Sequence, residues 1–287
     1  MPGSILRVIL GFLLLLFLLT LGCAGPTVSG VGLRAEAISL NDKGYHYYRQ
    51  GRLEIAQEKF SQALKYNRLI DHRGGIAANL NNLGAIAQEL GRLDEALNYF
   101  HNALAIYREL GDTAGLCETK NNLGAVYQSQ GRTGEAQAAY REALGYVQAM
   151  PPGPLLALTL THLGDMARAQ KEYTQAWDYY SQALELDKAR KDRQGQAVRW
   201  ERLGRTLVEQ GNYLGALPYL HDALWEFRQQ EDTGGIADTL NSLTRLALAQ
   251  GDRESAKLYG ERLLKLYQAR GQEQEAEKLA KMLKTGK

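Results

Sequence analysis

Residues 74–113 read GGIAANLNNLGAIAQELGRLDEALNYFHNALAIYRELGDT, and the fold follows from how this stretch repeats. Its apolar residues Ile76, Leu80, Leu83, Ala87 and Leu90 recur at three- and four-residue steps, the spacing of one helix face. Gly91-Arg92 then ends the helix, with glycine in the favoured place just past the last turn. A second face follows in Leu93, Ala96, Leu97, Phe100, Ala103, Leu104 and Tyr107, and Gly111-Asp112 closes it. The stretch is a pair of helices, each of about four turns, here called A and B.

The same pattern extends in both directions. GRLEIA at Gly51, GRLDEA at Gly91, GRTGEA at Gly131, KEYTQA at Lys171, GNYLGA at Gly211 and GDRESA at Gly251 keep a constant 40-residue step with no insertion. Their closing alanines, Ala56 to Ala256, keep that step. Upstream, Gly44, Gly84, Gly124, Gly164 and Gly204 stand in register, and Thr244 takes the sixth place. A glycine inside a helix costs about 1 kcal/mol relative to alanine, so five at one register require a common cause. The spacing predicts close packing of A on B, with the alanines as the small opposing surface. Six units result, 34–73, 74–113, 114–153, 154–193, 194–233 and 234–273, with 274–287 as a polar capping helix. Met150-Pro-Pro-Gly-Pro154 marks a stiffened boundary between the third and fourth units.

These residues resemble the tetratricopeptide repeat. Its L-x2-L-G…A-x3-F pattern falls on Leu80, Leu83, Gly84, Ala87, Ala96 and Phe100, and on Leu123, Gly124, Tyr127, Ala136 and Tyr140 in the next unit. The 40-residue period is similar to an extended-helix variant of that family. The resemblance implies an all-α chain, a right-handed superhelical solenoid of six helix-turn-helix units plus a C-terminal capping helix. It also implies a non-enzymatic scaffold that receives a partner peptide or helix on its A helices. Lys171 in place of the turn glycine, and Thr244, Gly260 and Leu263 in the sixth unit, depart from the pattern. A weakened last unit suits the end of a repeat array.

Length alone, 287 residues at about 150 per domain, would suggest two globular domains; the period replaces that division with a count of units. Apolar residues at 45% and charged residues at 23% give an ordered body. A net charge of +2, without long like-charge blocks, gives no footprint for nucleic acid. Cys23 and Cys117 cannot make a disulfide framework and fit no zinc spacing. The histidines His46, His72, His101, His162 and His221 are scattered over different units, and no metalloprotease, nucleophile-elbow or phosphate-loop motif occurs. No catalytic residue, metal or cofactor is expected. Trp177, Trp200 and Trp225 read as packing residues, Trp200 most clearly because it shares the register of Leu80 and Leu160.

The first 22 residues read as a leader. One basic residue, Arg7, precedes fourteen apolar or small residues from Val8 to Leu21, too few at about 21 Å to span a bilayer core of about 30 Å. Leu21-Gly22-Cys23-Ala24 resembles the bacterial lipobox, which implies a lipid on Cys23, outer-membrane sorting and a tether over 23–33. The same residues also form a small-x-small site for ordinary cleavage, which would release a soluble periplasmic protein, and an uncleaved anchor is a third alternative. Every alternative exports the body. Lipoproteins of similar plan serve as assembly factors for outer-membrane machines, pilus secretins among them, and as docking platforms for cell-wall hydrolases. The expected partner is an envelope or periplasmic protein, with the membrane reached through the lipid and the chain itself a monomer. A structural subunit acting through solenoid packing is the alternative.

Two registers carry the candidate binding residues. Asn41, Asn81, Asn121 and Asn241 share one, with Thr161 and Glu201 as substitutes, and Asn82 and Asn122 share the next. Asparagine is a poor mid-helix residue, so its return at the repeat interval calls for a tertiary partner. That partner is either the backbone of a bound peptide or a neighbouring repeat. Further along the chain, Arg168, Arg202, Arg205 and Arg245 fall on the same side, and arginine forks suit carboxylates. The expected occupant there is an acidic segment; Asp165 and Glu201 leave local ion pairs as the alternative.

Overall fold

The computed structural model describes residues 30–285. The leader, Cys23 and most of the tether lie outside that range. The described residues form thirteen helices and no strand: α1 (Gly30–Arg49), α2 (Leu53–Leu69), α3 (Arg73–Glu89), α4 (Leu93–Leu110), α5 (Thr113–Ser129), α6 (Thr133–Gln148), α7 (Pro154–Ala169), α8 (Tyr173–Ala189), α9 (Arg193–Glu209), α10 (Tyr213–Gln229), α11 (Thr233–Gln250), α12 (Arg253–Ala269) and α13 (Glu273–Thr285). Odd numbers are the A helices, even numbers the B helices, and α13 is the cap. Helix α1 begins at Gly30, so its first turn occupies residues expected as tether.

Helix ends follow a finer rule than the repeat period. Gly51, Asp71, Gly91, Gly111, Gly131, Lys171, Lys191, Gly211, Glu231, Gly251 and Gly271 all have positive φ, between 49° and 79°. They fall at every half-period, and only position 151 is skipped. Each closes its helix with the same two bonds. At the first, the Gly51 N–H donates to the Tyr48 carbonyl at 2.9 Å and the Arg52 N–H to the Tyr47 carbonyl at 3.0 Å. This is the Schellman arrangement, which satisfies the last carbonyls and turns the chain back on itself. Lys171 takes it too, despite the side chain that makes left-handed backbone costly. Position 151 is proline, which cannot have positive φ; there Gly153 is extended and Pro154 starts α7 at the position where its missing N–H is harmless.

The chain falls into two compact units, the first ending at Ile86 and the second beginning at Ala87. In the first, α2 packs along α1. In the second, each A helix packs on its own B helix, each B helix on the next A helix, and α5, α7, α9 and α11 also touch in succession. No comparable B-to-B contact occurs among the described residues of this unit, so its A helices line the inner side of its curve.

The register glycines admit a different side chain from the one the spacing suggested. A Cβ at Gly44 would lie 2.6 Å from the Phe60 ring, at Gly124 and at Gly164 2.5 Å from Tyr140 and Tyr180, and at Gly204 2.7 Å from Leu220. The side chain four positions after the alanine, a ring at Gly44, Gly124 and Gly164 and Leu220 at Gly204, fills the space, and the Ala216 carbonyl also lies 3.3 Å from the Gly204 position. A second set of glycines lies outside the register that the sequence points to. Gly115, Gly195 and Gly235 make room for Tyr107, Asp187 and Phe227 of the preceding B helix, while Gly75 does so for Asn67 in the first unit. Side chains of the B helices, most of them rings, therefore fill glycine spaces on their own A helix and on the next one. Tyr140 and Tyr180 are fully buried.

In the sixth repeat the roles are exchanged. Thr244, fully buried, occupies the glycine register and bonds back to the Leu240 carbonyl at 2.7 Å, while Gly260 stands where the ring belongs. Leu283 of α13 fills the space beside Gly260, 2.6 Å from where a Cβ would lie.

Three outcomes test this packing. Gly164→Ala should destabilise by about 1–3 kcal/mol, whereas Gly134→Ala, which meets nothing within 4 Å, should be neutral or stabilising in denaturant melts. Lys171→Gly should raise stability by about 1 kcal/mol, because it relieves the left-handed backbone. His162 stacks on Tyr140 with ring centroids 4.9 Å apart and planes 11° from parallel, and burial lowers its pKa to about 4 against an ordinary 6.5. A depressed histidine favours the fold above the unfolded pKa, and that contribution is lost as pH falls through the window from 6.5 to 4. Wild type should therefore lose about 2 kcal/mol more than His162→Gln between pH 7 and pH 5, read from urea midpoints.

Candidate functional site

The asparagines of the first unit form one continuous chain of hydrogen bonds. Tyr45 Oη donates to Asn82 Oδ1 at 3.0 Å, and Asn82 Nδ2 donates to Asn41 Oδ1 at 3.3 Å. Asn79 Nδ2 also donates to Asn41 Oδ1, at 2.9 Å, and Asn67 Nδ2 to Asn79 Oδ1 at 2.7 Å. His72 Nδ1 lies 3.2 Å from Asn67 Oδ1. Buried amides need partners, and here they find one another across α1, α2 and α3. Asn41 also lines a cavity of about 120 Å³ with Arg34, Ile38 and His72. Asn67 and Asn79 stand outside the two registers that the repeat makes visible in the sequence.

The second unit continues the linkage with other residues. Asn121, buried, donates through Nδ2 to Thr159 Oγ1 at 2.8 Å, and Thr159 passes the bond to the Leu155 carbonyl at 2.8 Å. Ser242 Oγ donates to Glu201 Oε1 at 3.0 Å. Four of these links stand 38 or 41 residues apart, 41 with 79 and 82, 121 with 159, and 201 with 242, while Tyr45 and Asn82 stand 37 apart. This is one residue of an A helix meeting the next A helix. Asn81 is buried and Asn122 half-buried. The side chain of Asn241, the last of the register, makes no hydrogen bond among the described residues and lines a cavity with Arg245.

The arginines divide likewise. Arg168 Nη1 reaches Glu209 Oε1 at 2.6 Å. Arg202 Nη1 reaches Glu201 Oε2 at 2.6 Å, and its Nε lies 3.1 Å from Asp165 Oδ1. Tyr180 Oη, the ring that fills the space at Gly164, donates to that same Asp165 oxygen at 2.7 Å. Arg205 Nε lies 3.5 Å from Glu209. Asp165, Glu201 and Glu209 thus stand among the A-helix arginines as internal partners, and burial together with Glu201 pushes the neighbouring Asp238 carboxyl up. Arg245 is exposed and has no ion pair among the described residues.

Few large apolar side chains are exposed on the A helices: Val31 (80% exposed), Ile38 (56%) and Tyr45 (44%) in the first unit, and Leu158 (38%) in the second. Trp177 packs edge-on against Tyr219, and Trp200 sits partly buried in the same cluster. Trp225, expected as a packing residue, is instead exposed on the outer face of α10. Among the described residues no group of three or more His, Cys, Asp or Glu is placed to hold a metal ion, and no helix is long and apolar enough to cross a membrane.

Residues 75–149 and 116–189 match the tetratricopeptide repeat family. No curated protein matches the sequence significantly. Among solved structures the chain is similar to BtubC of P. vanneervenii, with 21% identity, a TM-score of 0.64, and coverage of 76% of this chain and 92% of that one. It is similar to PilF of Pseudomonas aeruginosa, with 23% identity, a TM-score of 0.58, and coverage of 86% and 99%. PilW, a type IV pilus biogenesis factor, aligns at 21% identity with a TM-score of 0.58 over 79% and 91%. These likenesses concern the fold, which is one used for protein–protein contact. Residues 75–189 are thus repeats of the tetratricopeptide family, and the same helix pair continues on either side of them.

Proposed function

We propose that the chain is a non-enzymatic adaptor of a bacterial cell envelope, which holds a segment of an envelope or periplasmic protein against the exposed faces of its A helices. The observation that carries this is the division of labour on those helices. Most of the register amides and arginines bond internally, whereas Ile38 in the first unit, and Leu158 and Arg245 in the second, are left facing solvent. An exposed apolar side chain on α7 and an exposed arginine on α11 suit a partner segment with both apolar and acidic residues. A lipid on Cys23 would tether the start of α1 within about 21 Å of a membrane over the stretch from Ala24 to Ser29. Outer-membrane attachment is the companion proposal, with a soluble periplasmic form if the leader is cut elsewhere.

The likeness to PilF and PilW over nearly their whole length favours a second, narrower reading, in which the partner is a subunit of an envelope machine that the adaptor helps assemble. A photo-cross-linker at position 158 or 245 in cells should capture one envelope protein. Arg205→Glu with Arg245→Glu should weaken that capture at low salt, and unchanged capture would exclude the acidic partner. Labelling by a fatty-acid analogue should vanish in Cys23→Ala; persistence of the label would exclude that anchor.

A further inference from the structure

Two B helices of the second unit, α8 and α10, are bridged by a pair of rings. Trp177 meets Tyr219 edge-on, with centroids 5.6 Å apart and planes at 89°. The two rings line a cleft of about 390 Å³ together with Leu207, buried near the end of α9. Its polar side chains are Thr174, Gln210 and Asn212, and none of its lining residues is charged. The Asn212 side-chain carbonyl accepts from the Gly215 N–H at 3.1 Å, while its Nδ2 has no partner among the described residues. The Gln210 amide, the Thr174 hydroxyl and the Trp177 indole N–H likewise make no side-chain hydrogen bond among those residues.

Another junction of the same unit fills this place with charge. Two repeats earlier, Asp94, Arg132 and Glu135 stand where Thr174, Asn212 and Gly215 stand here. There Arg132 bonds Glu135, and its Nη1 donates to Gln130 Oε1 at 2.9 Å. Gln130 Nε2 donates to Asp94 Oδ1 at 3.3 Å, so both ends of the amide that corresponds to Gln210 are engaged. The Arg132 guanidinium lies over the ring of Tyr127, the counterpart of Leu207, at 4.5 Å. Position 212 is charged in every other repeat, as Arg52, Arg92, Arg132, Glu172 and Asp252. Trp177 and Tyr219 replace Leu97 and Ala139. The later junction has thus exchanged an ion-pair network for two rings and unpaired neutral polar groups. At Gly215 the missing side chain keeps the space open, since a Cβ there would lie 2.9 Å from Asn212 Nδ2.

We infer that this cleft binds a neutral sugar ring. An ionised ligand would meet no counter-charge among the lining residues. A purely apolar one would strip water from three polar side chains without replacing their hydrogen bonds. A pyranose combines apolar C–H faces with a rim of hydroxyls, each both donor and acceptor. Its C–H face lies on the negative face of the Trp177 indole, and its hydroxyls bond the Gln210 amide, Asn212 Nδ2 and Thr174. Rings at right angles make a corner, which fits a compact ring better than an extended chain. The volume falls within the range of about 300–1,000 Å³ common to small-ligand sites. The cleft shares no residue with the faces proposed for the partner protein and does not depend on that reading.

NMR titration of the chain with its leader removed tests this, with cellobiose and N,N′-diacetylchitobiose as probes. The Trp177 indole N–H signal, assigned by its loss in Trp177→Phe, should shift saturably with at least one of the two disaccharides. Trp225, exposed on α10, is the internal control for nonspecific stacking. A saturable shift confined to Trp177 upholds the site, and a response to the acetylated sugar alone identifies an acetamido sugar as the ligand. Equal movement of both indoles, or no saturable shift with either disaccharide, would overturn the proposal. Thr174→Asp, Asn212→Arg and Gly215→Glu together install the ion-pair network of the earlier junction. This triple variant should weaken binding at least about tenfold by calorimetry without lowering the unfolding midpoint. Trp177→Leu, which copies Leu97, should cost about tenfold through loss of the stacking face. Undiminished binding in either folded variant would count against the site.

Discussion

The left-handed residue at each half-period is the constraint on which the rest of the structure rests. It closes every helix from α1 to α12 except α6 with the same pair of backbone bonds, so α2 to α12 come out within two residues of one another in length. With lengths fixed, every side chain in one repeat faces the same neighbour as its counterpart in the next repeat. Rings then meet glycines within repeats and between them, and polar groups on one A helix meet polar groups on the next at separations of 37 to 42 residues. One extra residue in any helix would turn all of these contacts by about 100°. The constraint is strong enough to hold Asp71, Lys171, Lys191 and Glu231 in a conformation that glycine adopts more readily.

Polar groups buried between repeats act differently from the rings. Apolar packing is tolerant of small shifts, whereas an amide without a partner costs about 1–3 kcal/mol. The chain Tyr45, Asn82, Asn41, Asn79, Asn67 therefore specifies the relative placement of α1, α2 and α3 more than it adds to their stability. Asp165 joins the two kinds of contact in the second unit, since the Tyr180 ring fills the space at Gly164 while its hydroxyl bonds the carboxylate that faces Arg202.

Much of this was legible in the sequence because repetition turns a weak local signal into a strong one. One Leu-Asn-Asn-Leu-Gly says little; its return in register gave the helices, their ends and the existence of a glycine contact. Which side chain enters the glycine space was not legible, because Ala136 and Tyr140 lie on one face of α6 and only the helix rotation decides between them. The second glycine register is hard to see because Leu155 interrupts it. Left-handed backbone at Lys171 and Glu231 carries no local signal at all; it is imposed by the position in the array. For the candidate residues, the sequence identified groups in need of partners. It could not show that Asp165, Glu201 and Glu209 come within reach of three arginines, since two of those pairs join residues on different repeats.

The exchange of Thr244 and Gly260, with Leu283 filling the space, bears on how such a gene could change length. Unequal recombination that copies or removes the coding sequence of one whole repeat leaves the frame and the phase of the helices intact. A copied segment drawn from the interior repeats would bring its own ring and glycine. A copy of the last one placed internally would bring Gly260 without Leu283 and so carry a void into the core. Growth or loss of repeats is thereby confined to the interior, and the carboxy-terminal end is inherited as a fixed piece.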